Sequence, residues 1–250
     1  MPLTSQQQER YNRTMLLEGI GPDGQDKLLH SRVLIVGAGG LGSSAAFYLA
    51  AAGVGTLGIV DSDRVELSNL QRQILHSTAD LGRPKVESAG RKLRSLNPDV
   101  HIEKHSARLT PGTIAACIDE YEFVVDATDN FESKFMINDA CVRRGISFSH
   151  AGVSAMEGQT LTVRPKQSAC YRCVFPAAPA ADAVPSTSRV GILGSVAGIV
   201  GAIQATECIK CITGAGHLLT DTLLVFDAST MNFRAVSVQR NAGCPACGNA

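Results

Sequence analysis

The sequence predicts an α/β fold, in which a doubly wound and mainly parallel sheet continues into a mixed or antiparallel part. Three observations support this fold class. Short apolar runs alternate with helical segments through residues 31–155, as parallel strands and their crossover helices do. A glycine-rich turn, GAGGLG at 37–42, joins the first strand to a helix. After residue 155, apolar and polar residues alternate in short runs, which is typical of antiparallel strands.

The elements follow one another in a regular order. A polar segment with a few apolar residues predicts a short N-terminal helix over 6–18, and the continuous apolar run RVLIV predicts a buried strand. Small apolar residues after the glycine turn predict a helix packed closely on the sheet. Strands are expected over 32–36, 57–60, 101–105, 123–125, 146–149, 159–163, 223–226 and 235–238, and further helices over 41–52, 85–96, 131–144 and 191–213.

The composition indicates one globular domain of 250 residues, because the chain contains no linker, repeat or low-complexity tract. The formal net charge is zero, so no overall field favours nucleic acid or a membrane surface as a partner. The apolar run at 192–203 contains three glycines and a serine and predicts a buried helix. The first residues lack the features of a signal peptide, so we expect a cytoplasmic protein with reduced cysteines.

The glycine turn predicts a nucleotide site. Gly37, Gly39 and Gly42 follow a strand and open a helix, where backbone amides and the positive end of the helix can approach phosphate. Asp61 ends the next strand, where a carboxylate can accept hydrogen bonds from ribose hydroxyls. These residues alone fit an NAD-dependent dehydrogenase equally well.

Additional charged residues favour a reactive triphosphate over a dinucleotide. Asn69, Arg72 and Gln73 share one short segment, and Lys85 follows in the first turn of a helix. Arginine is suited to bidentate phosphate contacts. The segment DATDN at 126–130 follows another strand, where a carboxylate can hold Mg²⁺ together with phosphate oxygens. Each residue taken alone could be a surface charge or a helix cap, but together they predict one site.

The eight cysteines include three CxxC pairs, at 170–173, 208–211 and 244–247. The first and last pairs are expected in loops, and two such pairs can form a closed tetrahedral zinc site with structural function. The middle pair lies in an apolar helix and is interpreted as buried thiols rather than metal ligands, with a redox pair as a further alternative. Cys117 and Cys141 are expected in the core. The predicted zinc ligands are Cys170, Cys173, Cys244 and Cys247.

Several of these motifs together resemble the ThiF/MoeB/HesA family, the bacterial relatives of ubiquitin-activating enzymes. The resemblance extends over nearly the whole chain. It implies that MgATP is used to adenylate the C-terminal glycine of a small ubiquitin-like sulfur-carrier protein ending in Gly-Gly. It also implies a homodimer in which an arginine of one subunit completes the site of the other. The motifs are ERYNR at 9–13, GAGGLG at 37–42, SNLQRQ at 68–73, GRPK at 82–85, ATDN at 127–130, CYRC at 170–173, GAIQATECIK at 201–210 and CPACG at 244–248.

The resemblance also implies roles for individual residues. Asp61 matches the ribose ligand, Asp129 matches the magnesium ligand, and Arg13 matches the arginine supplied in trans. The catalytic set implied is Arg13, Arg72, Lys85 and Asp129. The nucleotide-binding set is Gly37, Gly39, Gly40, Gly42, Asp61, Asn69, Arg72, Gln73, Lys85 and Asn130. The domain would then consist of an N-terminal helical arm at 1–30, a nucleotide-binding half at 31–155 and a carrier-binding and zinc-binding half at 156–250.

One position departs from the family pattern. Many members carry a cysteine in the loop before the long apolar helix, and here the segment reads PSTSRVG at 185–191, with Thr187 at that position. We therefore expect no covalent carrier intermediate at Thr187, and a separate sulfur donor. The segment 177–190 is predicted to be a crossover loop over the carrier tail. The alternative functions are an NAD(P)-dependent oxidoreductase and a non-catalytic interaction subunit.

Overall fold

The protein is described by a computed structural model that covers residues 3–179 and 190–248. Thr187, together with most of the predicted crossover loop, lies outside these ranges.

One sheet of eight strands organises the described part of the chain. The strands are Arg32–Val36 (β1), Thr56–Val60 (β2), His101–His105 (β3), Phe123–Asp126 (β4), Ser147–Ser154 (β5), Glu157–Val163 (β6), Thr222–Asp227 (β7) and Asn232–Ser237 (β8). Their order is β3-β2-β1-β4-β5-β6-β7-β8. Strands β1 to β5 are parallel, whereas β6, β7 and β8 join as antiparallel neighbours. The predicted fold class is thereby confirmed.

Helices cover both faces of the sheet. They are Ser5–Met15 (α1), Gly21–His30 (α2), Gly40–Ala52 (α3), Lys85–Leu96 (α4), Ile114–Ile118 (α5), Phe131–Arg144 (α6), Tyr171–Val174 (α7) and Gly194–Thr213 (α8). Side chains of β1 alternate between the two layers. Val33 and Ile35 pack with α3, α4 and α8, whereas Leu34 and Val36 pack with α5 and α6.

The strand order creates the crevice that positions the site. Strand β1 lies between β2 and β4, so that Val36 is the register partner of both Val60 and Asp126. The carboxyl ends of these three strands therefore meet at one edge. Chain connections diverge there to opposite sides of β1, which is where ligands bind in open α/β sheets.

Helix α8 is the central helix of one layer. It has the length and apolar composition of a membrane-spanning helix, but it packs against α3 and the sheet with half of its apolar window buried. Its approach to α3 is close at Gly201, where a Cβ atom would lie 2.3 Å from the carbonyl oxygen of Leu41 and 2.2 Å from Ser44 Oγ. The helix begins at residue 194 rather than at the predicted 191, because Gly191 has a φ of 79° and Leu193 is extended.

The N-terminal arm is fixed to the far end of the sheet. Tyr11 is buried, and its hydroxyl accepts a hydrogen bond of 2.8 Å from Asn97 Nδ2, at the end of α4. Its ring lies against Gly53, which terminates α3 with a φ of 82°. Helices α3 and α4 begin at the edge of the sheet where the crevice lies and end at the opposite edge. Because α1 contacts the ends of these helices, it is remote from the crevice.

One local expectation for the cysteines is wrong. The first CxxC pair does not lie in a loop, because Cys170 is the N-cap of the one-turn helix α7 and Cys173 lies within it. A single turn is too short to show an apolar period in the sequence. The middle pair is as expected, since Cys208 is fully buried and Cys211 half-buried on α8. Cys141 is in the core, and Cys117 packs against it.

Candidate active site

The glycine turn is bent tightly at the carboxyl end of β1. Gly37 has a φ of 102°, and a Cβ atom there would lie 2.7 Å from the carbonyl oxygen of Ala127. At Gly42 a Cβ atom would lie 1.9 Å from the carbonyl oxygen of Gly37. Neither position tolerates a side chain, so the turn brings the first amides of α3 to the crevice.

A pocket of about 340 Å³ opens above this turn, within the size range of small-molecule sites. Gly39 faces open space, since an added Cβ atom would meet only Gln73 Nε2, at 3.7 Å. The pocket combines charged groups with an apolar wall, as a nucleoside triphosphate requires. The predicted residues that line it are Gly37, Gly39, Gly40, Asp61, Arg72, Gln73, Lys85, Asp129 and Asn130, and apolar members include Val36, Val60, Leu109 and Met136.

Two acidic residues follow β2 at the rim of the pocket. The Asp61 carboxylate accepts the Ala38 amide at 2.8 Å on one oxygen and the Asp63 amide at 2.8 Å on the other. It thus ties the glycine turn to the next loop, and each oxygen keeps a lone pair for a ligand hydroxyl. Lys85 Nζ lies 2.9 Å from Asp63 Oδ2, and the lysine is buried whereas the aspartate is exposed.

The predicted phosphate-binding segment divides into residues that line the pocket and one that supports them. Arg72 and Gln73 line the pocket, whereas Asn69 does not. Asn69 Oδ1 accepts the Glu66 amide at 3.2 Å, and its carbonyl oxygen accepts the amides of Arg72 and Gln73. Gln73 is buried, and within the described part of the chain its Oε1 has no hydrogen-bond partner.

The segment after β4 presents a free carboxylate. Asp129 is exposed and lines the pocket, and among the residues described it carries no hydrogen bond or ion pair. Asn130 caps α6, because its Oδ1 accepts the Ser133 amide at 2.9 Å. The alternative that Asp126 or Asp129 caps this helix is therefore wrong. Asp126 is buried beside Lys134 and His150 instead.

A buried histidine supports the glycine turn from below. His76 Nε2 lies 2.9 Å from the Ala38 carbonyl oxygen, and Nδ1 lies 3.0 Å from Ser88 Oγ. Burial, together with nearby Lys85, lowers the pKa of His76. Because the carbonyl oxygen can only accept, Nε2 carries the proton of the neutral ring and Nδ1 accepts from the hydroxyl of Ser88.

Arg13 lies away from the pocket of its own chain. It is exposed on α1, two positions after the buried anchor Tyr11. Helix α3, which extends from the glycine turn to the contact with Tyr11, has 13 residues. At a rise of 1.5 Å per residue it separates the two ends by about 20 Å. An arginine side chain does not span that distance.

Four thiols from separate parts of the chain converge on the other face of the sheet. The Sγ atoms of Cys170, Cys173, Cys244 and Cys247 all lie within 4.8 Å of one another. Three of the separations are 3.4, 3.6 and 3.9 Å. Thiolates placed tetrahedrally at about 2.3 Å from zinc would be about 3.8 Å apart, so the cluster fits the ion.

Backbone amides also favour thiolates in this cluster. Although burial acts to raise the pKa of Cys244, the amides of Cys247 and Ala246 lower it overall. The turn itself is tight, since a Cβ atom at Gly248 would lie 2.4 Å from the Ala242 carbonyl oxygen. None of the eight cysteines lines the nucleotide pocket. The cluster is therefore a closed site, separate from the pocket.

Residues 11–246 match the ThiF family. This chain belongs to the ThiF family. The SAMP-activating enzyme E1 of Haloferax volcanii is 45% identical to it over 248 residues, which cover 99% of this chain and 92% of that enzyme. The sulfur carrier protein adenylyltransferase of Thermus thermophilus is 41% identical over 254 residues, with coverage of 100% and 94%.

Solved structures agree with this assignment. The crystal structure of E. coli MccB with ATP is similar with a TM-score of 0.85, at 25% identity, over 96% of this chain and 75% of MccB. The family resemblance inferred from the motifs is thereby confirmed. The relatives are named as adenylyltransferases and activating enzymes, which favours an adenylyltransferase over an oxidoreductase or a non-catalytic subunit.

Sequence motifs did not reveal several residues at or beneath the pocket. Asp63 was missed, although it follows Asp61 by two positions. Lys134 and His150 contact the buried Asp126 carboxylate below the pocket, and Gln204 on α8 bridges two strands. The sequence feature that could have identified such residues is a polar side chain within an otherwise apolar segment, as Gln204 is in GAIQAT.

Proposed function

We propose that this chain uses MgATP to adenylate the C-terminal glycine of a small ubiquitin-like sulfur-carrier protein ending in Gly-Gly. One observation carries the proposal. The pocket brings together a glycine turn, Arg72, Lys85 and Asp129, in a chain that is 41% identical over its whole length to a sulfur carrier protein adenylyltransferase. We assign the products as an acyl adenylate and pyrophosphate.

The chemistry requires no general base from the protein. A C-terminal carboxylate has a pKa near ~3.5 and is ionised at neutral pH. One of its oxygens attacks the α-phosphorus, and the bond from that phosphorus to the pyrophosphate oxygen breaks. The obstacle is repulsion between two anions, so the protein contributes positioning and positive charge through Arg72, Lys85 and the amides of α3.

Asp129 is the residue proposed to hold Mg²⁺, because its exposed carboxylate at a strand end suits a hard cation shared with phosphate oxygens. The ion, when bound, would neutralise charge that develops on the phosphates. Asp61 is proposed to bind the ribose. The apolar residues Leu109 and Met136, which also line the pocket, suit the base. Asn69 acts indirectly, by holding Arg72 and Gln73 in place.

A separate sulfur donor is proposed for the next step. No cysteine lines the pocket, so none of these thiols meets an acyl adenylate bound there. We place the protein in the cytoplasm, where its cysteines stay reduced. Neither nucleic acid nor a membrane is a proposed partner, in keeping with the zero net charge.

A homodimer is proposed because Arg13 is too far from its own pocket. In a two-fold dimer, α1 of one subunit can reach the site of the other. The surface beside α1 suits such an interface, since large apolar side chains are exposed on it. These are Leu16, Leu17 and Tyr48, next to an apolar hollow lined by Ile20, Ala202, Ala205 and Ile209.

The four clustered cysteines are proposed to hold one structural Zn²⁺ per chain. Four thiolates leave no open coordination position, so the ion would tie the C-terminal segment to α7 rather than act on the substrate. Cys244→Ser is expected to lose the zinc and to unfold at lower temperature. Elemental analysis measures the first effect, with Cys211→Ser as the control. Full zinc content in Cys244→Ser would refute this ligand set.

Carrier-dependent exchange of labelled pyrophosphate into ATP tests the function. The proposal predicts exchange that requires Mg²⁺ and a carrier with an intact C-terminal Gly-Gly. A carrier shortened by its last glycine is the matched control and is expected to give no exchange. If exchange were equal with both carriers, or absent with an intact sulfur carrier of the same source, the proposed function would be wrong.

A further inference from the structure

A buried network of charges lies directly beneath the loop that carries Asp129. Asp126, Lys134 and His150 come from β4, α6 and β5, and each is at most 6% exposed. Lys134 Nζ lies 3.4 and 3.5 Å from the two Asp126 oxygens. His150 Nδ1 lies 3.1 Å from Asp126 Oδ2. None of the three lines the nucleotide pocket.

Every polar group of Thr128 makes a hydrogen bond to Asp126 or Lys134. Its amide and hydroxyl donate to Asp126 Oδ1, at 3.1 and 2.6 Å, and its carbonyl oxygen accepts from Lys134 Nζ at 2.7 Å. That carbonyl belongs to the same planar peptide group as the amide of Asp129. The ammonium of Lys134 therefore fixes the orientation of the peptide that precedes the exposed carboxylate.

The same ammonium connects the loop to the neighbouring strand. Lys134 Nζ also donates to the carbonyl oxygen of Ala151 on β5, at 2.5 Å. Gln204 from α8 donates to the carbonyl oxygens of Asp126 and Ser149, at 2.9 and 3.0 Å. The end of β4 is thus held from both helical layers, so the loop cannot rotate without breaking buried charged contacts.

A role limited to charge balance would not require this geometry. Asp126 needs a buried cation, and His150 remains neutral because burial and Lys134 lower its pKa to about 4. Any cation beside the carboxylate would satisfy that need. Lys134 additionally uses two of its three N–H groups on backbone carbonyls, one of which adjoins Asp129.

We propose that Lys134 is a positioning residue, which orients the peptide group between Thr128 and Asp129 so that the Asp129 carboxylate meets the metal bound to the nucleotide. The inference rests on the metal-binding role proposed for Asp129. It gives the buried lysine a function in metal–nucleotide affinity beyond its part in stability.

A double variant separates the contribution of Lys134 to stability from its proposed role in positioning the loop. Lys134→Met alone leaves Asp126 charged and without its lysine counter-ion, so the unfolding temperature of this variant should fall strongly. Lys134→Met combined with Asp126→Asn removes both charges, and its unfolding temperature should return to within a few degrees of the wild type. The Thr128 carbonyl still lacks its charged donor in this double variant.

Binding of Mn²⁺ with ATP, followed by the electron paramagnetic resonance of free Mn²⁺, provides a measurement that does not depend on the carrier. The double variant is expected to bind about tenfold more weakly than the wild type, as for the loss of a residue that orients a metal ligand. Lys134→Arg, which keeps charge and donors, should stay within about threefold. Lys92→Met, which removes a cation from buried Asp80 outside the pocket, should lose stability but not affinity.

Wild-type Mn²⁺·ATP affinity in a folded double variant would overturn the proposal. Should the double variant be insoluble, Thr128→Val, which removes the hydroxyl bond to Asp126 and keeps the backbone groups of this pocket-lining residue, should weaken binding about threefold. Unchanged binding in Thr128→Val would also overturn it. A wild-type protein that binds Mn²⁺·ATP but shows no carrier-dependent exchange would refute the proposed function and leave this inference standing.

Discussion

The acidic residues around the pocket differ in how far their carboxylates are already engaged. Asp61 accepts two backbone amides, and Asp63 pairs with Lys85. Asp129 is exposed and, in the described ranges, has no such contact. A carboxylate with free lone pairs at the mouth of an anion site is the one best placed to bind a metal ion.

Asp129→Ala should therefore abolish adenylation and leave the fold intact. Among the described residues this exposed carboxylate makes no hydrogen bond or ion pair, so the unfolding temperature should change little. Carrier-dependent ATP–pyrophosphate exchange is the measurement, and Glu132→Ala, three positions along and outside the pocket lining, is the control. Arg72→Ala and Lys85→Ala should each lower exchange by about 10²-fold. Near wild-type exchange in Asp129→Ala would refute the proposal that Asp129 holds Mg²⁺.

Buried His150 should make stability depend on pH. Burial and Lys134 lower its pKa to about 4, whereas an unfolded histidine has a pKa near ~6.5. The unfolded state thus binds the proton more readily, so this stabilisation is complete above pH 6.5 and is lost as the pH falls towards 4. Between pH 7 and pH 5 the loss should be about 2 kcal/mol.

Urea unfolding of His150→Gln at pH 7 and pH 5 measures this effect. The difference between the two free energies of unfolding should shrink by most of that amount, whatever the absolute stability of the variant. His30→Gln, with a side chain that is 66% exposed, is the control and should keep the wild-type difference. If His150→Gln also kept that difference, His150 would not be the titrating group.

At the scale of elements, the contact between α3 and α8 depends on the absence of a side chain at Gly201. Gly201→Ala would place a methyl group against the backbone of Leu41, so the two helices must separate. We expect a loss of about 1–3 kcal/mol. Gly198→Ala in the same helix meets nothing within 4 Å and should instead gain up to about 1 kcal/mol from helix propensity.

Urea denaturation at one fixed protein concentration compares the two variants, since a dimer would make stability depend on concentration. Both substitutions replace glycine with alanine in the same helix, so both bring the same gain in helix propensity. They differ only in whether the new methyl group meets α3. Equal stability of Gly201→Ala and Gly198→Ala would contradict the close packing described for α3 and α8.

Where a proline, a capping residue or a glycine marks the ends of a helix, the sequence predicted its first and last residues correctly. Helix α4 begins directly after Pro84, and α6 lies between the cap Asn130 and the left-handed Gly145. Helix α2 was missed because its sequence, GPDGQDKLLH, contains a proline and two glycines that are typical of a loop. Helices α5 and α7, of five and four residues, are too short to show a helical period.

Only part of the candidate site could be predicted from the sequence, because the sequence shows spacing along the chain but not which strands are neighbours. Residues in contiguous motifs, such as Arg72 and Gln73, were found because spacing along the chain reveals them. The network of Asp126 and His150 was not, because these two residues meet only through the register of β4 and β5, in which they are direct partners. That register is a property of the assembled sheet rather than of either segment.

At the scale of the whole molecule, we propose that a second copy of the chain completes the site. Helix α3 separates the glycine turn by about 20 Å from the end of the sheet where α1 is anchored. If Arg13 acts in trans, homodimers of Arg13→Ala and of Asp129→Ala should both be inactive. A mixed dimer of the two should contain one site that lacks both residues and one site that is intact.

Mixing and re-equilibrating the two inactive proteins should therefore restore carrier-dependent exchange. Random pairing makes about half of the dimers mixed, and one site works in each, so recovery should reach roughly a quarter of the wild-type activity. Wild type mixed with either variant gives the reference for subunit exchange, and native mass spectrometry counts the mixed dimers. Mixed dimers without recovered activity would show that Arg13 serves its own subunit or takes no part in the chemistry, because an arginine acting across the interface must rescue one site in each of them.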